Sequence, residues 1–127
     1  MKTLLRSTLR TALAALALIT GAAAMAQPGY PGKPVSLVVG FAPGGSADIL
    51  ARLMAQKLST ALGQQVIVEN KPGAGGTIAA AAVAAAPADG QTLLFVTSGH
   101  AGSAALYPKL GYDPIKSFAP VARVGSS

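Results

Sequence analysis

The sequence predicts an open α/β fold with a parallel sheet, and three observations point to it. VSLVVGF (35–41), QVIVEN (65–70) and TLLFVTS (92–98) are β-branched and aliphatic runs, the pattern of strands covered by helices. Each run ends in a glycine-bearing loop that leads into a helical stretch: FAPGGSAD, NKPGAGGTI and TSGHAGSA. Their spacing of about 30 residues is that of successive βαβ units. The helical stretches differ too much in length and character for a solenoid.

The first 26 residues stand outside the fold. Lys2, Arg6 and Arg10 form a basic start, TALAALALIT is a short apolar run, and Ala24–Ala26 gives an A-x-A site before Gln27. This reads as a secretory signal peptide cleaved between Ala26 and Gln27. Residues 27–34, QPGYPGKP, form a lead-in too rich in Pro and Gly for regular structure.

The first strand runs into APGGSAD, and helical spacing begins at Ser46. Ile49, Leu50, Leu53, Met54, Leu58, Ala61 and Leu62 form an apolar stripe expected to face the sheet. Ser46 is the expected N-cap, Asp48 suits the positive first turn, and Gly63 is the expected stop. After the second strand, a helix is expected from about Thr77 to Ala86, closed by the turn PADG (87–90). The third strand leads into a short helix ending at Leu106. YPKLGYDPIKSFAP is irregular, with one helical turn after Asp113, and VARVGSS begins a further strand.

Composition excludes several functions. Without the signal segment, seven basic residues face four acidic ones, a net of +3, and the basic residues are scattered. They do not interleave with the three Tyr and three Phe as a nucleic-acid platform requires. A mild positive balance suits a small anion. Cysteine is absent, which removes disulfides, thiolate metal sites, a cysteine nucleophile and a lipid-anchored exported form. The chain must hold itself by its core alone. About 100 residues suffice for one modest domain.

In a parallel sheet the three loops share the carboxyl edge, where open α/β folds bind ligands. Glycines there let backbone N–H groups approach an anion at a helix N-terminus, although each also fits a plain tight turn. No Gly-Lys-Ser/Thr P-loop is present, and Ile78 interrupts the dinucleotide pattern begun by Gly73-Ala74-Gly75. A carboxylate needs only a few amides and the hydroxyls of Ser46, Thr77, Thr97, Ser98 or Ser103. His100 is the single histidine and no G-x-S-x-G occurs, so neither a catalytic set nor a metal site is indicated. No cofactor is expected.

YPGKPVSLVVGFAPGGSADILARLMAQKLSTALGQQVIVENKPGAGGTIAAAAVAAAPADGQTLLFVTSG, followed by LYPKLGYDPIKSFAPVARV, resembles the Bug (TctC-type) family of periplasmic solute-binding proteins. The resemblance covers Tyr30–Val124. It implies a type II periplasmic-binding-protein fold, a small organic carboxylate ligand (di- or tricarboxylate, amino acid or aromatic acid) and membrane permease subunits as partners. It places carboxylate contacts on Pro43, Gly44, Gly45, Ser46 and Asp48. Gly75, Gly76 and Thr77 of the second loop, and Thr97, Ser98, Gly99 and His100 of the third, follow as further candidates. Residues 35–120 then make a partial first lobe and 121–127 the start of a crossover to a second lobe that the chain does not include. The alternatives are a ligand-sensing component of a signalling system and a truncated protein without function.

Overall fold

The computed structural model describes residues 29–125, so the signal segment and its Ala26–Gln27 cleavage site lie outside it. Three strands, β1 (Val35–Val39), β2 (Val66–Asn70) and β3 (Thr92–Phe95), alternate with helices α1 (Ser46–Leu62), α2 (Thr77–Ala84) and α3 (Gly99–Leu106). The sheet order is β2-β1-β3 and both pairings are parallel. The expected α/β architecture is present.

β1 is the only one of the three that has a neighbour on each side, and its sequence shows why. Val35, Leu37 and Val39 pack with Ala51, Ala55 and Val66 on the α1 face. Val38, pointing the other way, is buried on the α2 face along with Ala79 and Ala80. The flanking strands differ from the buried strands expected: β2 alternates between covered and exposed residues, and β3 is half-buried throughout. Each is an edge, and two helices cover the centre of a three-stranded sheet better than its margins.

The apolar stripe predicted for α1 holds only in part: Leu58 and Leu62 pack on the core, but its amino-terminal members face outward. Asp48, Ala51 and Ala55 are buried, with Leu58 and Leu62 packed behind them. Ile49, Leu50 and Leu53 are 54%, 44% and 56% exposed. Positions 48, 51, 55, 58 and 62 follow helical spacing just as well as the larger residues do. Alanine lets the helix backbone settle close to β1 and β2, where a leucine would hold it away. Leu53→Gln is therefore expected to change stability by less than about 0.5 kcal/mol. Ala51→Leu is expected to cost about 1–3 kcal/mol by overpacking. Urea unfolding of the two variants measures the difference.

The ends of α1 divide similarly. Gly63 does stop the helix, with φ at +63°. Ser46 does not cap it: Gly45 occupies the N-cap with no side-chain bond, and the Asp48 carboxylate reaches back to the Gly44 amide at 2.9 Å. Beyond α3, Asp113 organises the expected turn by accepting from the Ile115 and Lys116 amides, each at 2.9 Å. No strand forms at 121–125, where Val121 is 80% exposed and pairs with no described segment. At the amino rim, Tyr30 donates to the Gly90 carbonyl at 2.7 Å and Lys33 pairs with Asp89 at 3.3 Å. These contacts strap the lead-in over the PADG turn.

Candidate functional site

The strand register sets Val39 beside both Asn70 and Phe95, so all three loops leave from one rim. The chain crosses from β1 to β2 on one side and returns to β3 on the other. The crevice outside the strand ends at such a reversal is where open α/β sheets hold ligands. A cleft lies there, lined by Gly40 and Phe41, by Gly75–Thr77, and by Val96, Thr97, His100 and Tyr112. Its enclosed part is about 10 Å³, room for roughly one water. A larger ligand would sit above it, on the open rim. No charged side chain lines the cleft among the described residues, so the groups that could meet an anion are dipoles.

Some amides of the three loops are already bonded within the fold and others have no acceptor among the described residues. In the first loop Pro43, Gly44, Gly45 and Ser46 are exposed. The Gly44 amide bonds to Asp48. The amides of Gly45, Ser46 and Ala47 have no acceptor among the described residues, and the first turn bond is Ile49 N–H to Gly45 O at 3.0 Å. These are the orphan donors of a helix N-terminus. In the second loop Gly76 donates to Gly73 O at 2.9 Å, and both the amide and the hydroxyl of Thr77 turn back to Ala74 O. Only Gly75, among the three candidates there, keeps an amide without an acceptor among the described residues.

In the third loop the Thr97 carbonyl accepts from the His100 amide at 3.0 Å, while the Ser98 and Gly99 amides have no acceptor among the described residues. Thr97, Ser98 and Gly99 are exposed. His100 is tied down: Nε2 donates to the Pro114 carbonyl at 3.0 Å. Its ring stacks on Tyr112 at 6.1 Å and meets the edge of Phe118 at 5.3 Å. It clamps the 112–118 segment against α3. Ser103 is buried and its hydroxyl donates to His100 O at 2.7 Å, so that hydroxyl is spent inside the helix.

Asp48 is not placed to touch an anion. It is 3% exposed, and its carboxylate accepts from Arg52 Nε at 3.0 Å, Gly44 N–H at 2.9 Å and Asn70 Nδ2 at 2.9 Å. Arg52, then the Gly44 amide and Asn70, lower its pKa to about 2 against the opposing effect of burial. A carboxylate so satisfied braces the loop.

Sequence reasoning missed Gly40, Arg52, Asn70 and Tyr112. Arg52 had a legible signal, since it lies four residues after Asp48 on a helix. Gly40 had a weaker one, a glycine closing a strand. Asn70 and Tyr112 had none, because their roles arise from contacts made across the fold.

The family model described as tripartite tricarboxylate transporter family receptor matches residues 50–127. An Agrobacterium vitis protein, the UPF0065 protein of the TAR-I ttuE-ttuC' intergenic region, is 52% identical over 101 residues, covering 80% of this chain and 29% of its own. The periplasmic binding protein BugD superposes with a TM-score of 0.69 at 46% identity, over 72% of this chain and 30% of its own. MatC from Rhodopseudomonas palustris, solved with bound malate, gives 0.67 at 47% identity, over 72% and 32%. The chain thus spans about 30% of the length of the relatives it matches.

Proposed function

Because the chain belongs to the tripartite tricarboxylate transporter receptor family, we propose that it supplies one half of a periplasmic site that captures a small organic carboxylate. The reading includes delivery of that ligand to membrane permease subunits, with no reaction catalysed. One observation supports it above the others: the amides at Gly45–Ala47, Gly75 and Ser98–Gly99, which have no acceptor among the described residues, belong to loops that leave one rim of the sheet, and Gly75 lines a cleft there without charged side chains. Malate in the relative MatC is a ligand of the chemistry such a rim suits. Pro43, Gly44, Gly76, Thr77 and Thr97 shape the rim, and His100 steadies its third loop.

The expected affinity is low. A hydrogen bond to a charged group contributes about 1.5–3 kcal/mol, and a helix N-terminus at most about 2 kcal/mol. Two or three such contacts facing water, less the cost of association, leave a millimolar Kd, near −4 kcal/mol. Titrating the ¹⁵N-labelled chain with malate should therefore shift the Gly45, Ser46, Ala47, Gly75, Ser98 and Gly99 amides, saturating at millimolar concentrations. The uncharged diamide of malate should not shift them. Shifts confined to other residues would sink the site. A micromolar Kd would sink the half-site reading.

A further inference from the structure

We propose that Asp48, Asn70 and Arg52 act together as positioning residues that lock the first loop to the end of β2 before any ligand arrives. The network is closed. Asp48 Oδ1 accepts from Asn70 Nδ2 at 2.9 Å, and Oδ2 accepts from Gly44 N–H and Arg52 Nε. Arg52 Nη2 donates to Asn70 Oδ1 at 3.2 Å, and Asn70 Nδ2 donates again to the Phe41 carbonyl at 3.1 Å. These partners fix which way the Asn70 amide points: its nitrogen faces two acceptors and its oxygen faces a guanidinium.

The placement has a consequence for the rim. The three unpaired amides of the first loop, at residues 45, 46 and 47, lie between two pinned residues, Gly44 and Asp48. Asn70 is the last residue of β2, and the next amide, Lys71, bonds to Val39 O at 2.8 Å. The start of the second loop is thus tied to the end of β1 by backbone and to the first loop by the Asn70 side chain. Donors held in place lose less freedom when they meet a ligand than donors on a loose loop. A buried carboxylate that loses one partner is left partly uncompensated, so the three side chains act as a set. That this rim meets a carboxylate rests on the function proposed above; the lock itself does not.

The Gly44 amide proton is the reporter, because it donates to the Asp48 carboxylate. In the unmodified chain its shift should titrate with Asp48 at about pH 2 and its solvent exchange should be slow. Asn70→Ala is expected to speed that exchange about tenfold and to weaken malate binding, read at Ser46 and Ala47, by about tenfold. It should also move the Gly44 titration upward, towards the ordinary carboxylate range. Arg52→Lys keeps the charge but not the planar fork whose separate nitrogens reach Asp48 and Asn70, and should give a smaller change in the same direction, which serves if Asn70→Ala folds poorly. Val83→Ala in α2 is the control for plain destabilisation, and should leave the Gly44 titration in place.

Unchanged Gly44 exchange and titration in both network variants would overturn the lock. A loosened Gly44 with undiminished malate affinity would overturn its link to the rim. If the unmodified chain shows no malate shifts at all, the proposed function fails while the Gly44 measurements still decide the lock.

Discussion

Gly40→Ala is expected to destabilise the chain by about 3 kcal/mol, the upper end of the range for overpacking. It is also expected to displace the second loop. A Cβ on Gly40 would lie 2.7 Å from Gly76 Cα and 3.3 Å from Gly76 O. The obstacle is backbone, so no rotamer change can relieve it. Gly76 cannot yield freely either, because its φ is +91° and its amide is bonded to Gly73 O. Gly44 gives the contrast: its φ is +83°, but a Cβ there meets nothing within 4 Å. Gly44→Ala should therefore show only the left-handed backbone penalty of about 1–2 kcal/mol. Urea unfolding ranks the pair, and equal losses would refute the steric argument. In Gly40→Ala the Gly75 and Gly76 amide signals should move most, whereas Gly44→Ala should disturb the first loop.

Asp48→Ala is expected to lower the urea midpoint by on the order of 1 M, more than any other single carboxylate removal. It strips the acceptor from Gly44, Arg52 and Asn70 together. Asp89 and Asp113 hold exposed turns, and Glu69 is also exposed. The charge carries a pH signature whose sign is fixed by the direction of its shift. The folded carboxyl titrates at about 2, below its ordinary 3.8. Above pH 3.8 the network contributes fully. As pH falls from 3.8 towards 2 the unfolded chain takes up the proton first, so stability declines, and below about 2 the contribution is gone. Asp89 and Asp113 are also lowered, chiefly by the Gln91 and Lys116 amides, and add to the same slope. Asp48→Asn should thus flatten the acid limb without abolishing it. An unchanged limb would show that Asp48 is not the brace described.

The sequence was most legible where a local rule had no competitor. β1 is apolar at every position but Ser36, as suits the centre of the sheet, and Gly63 ends α1 because a left-handed residue is needed there. The three loops were found as glycine clusters, and the parallel register puts them on one rim. The amino-terminal half of the inward face of α1 was misread because hydrophobicity ranks leucine above alanine, while close helix–sheet contact ranks them the other way. The free amides were legible only as a class. Gly76 and Thr77 look as available in sequence as Gly45 and Ser46, yet their donors close a turn inside the second loop.

By itself the sequence determined that the chain forms βαβ units and that their glycine-bearing loops share an edge. Those properties follow from residue periodicity and from glycine, which act over a few neighbours. The tertiary structure alone decided which donors remain open and what holds them. Asp48 with Asn70, Gly40 with Gly76 and His100 with Pro114 meet across 22, 36 and 14 residues. A hydrogen bond or a steric contact over such a separation exists only once the sheet has brought its ends together.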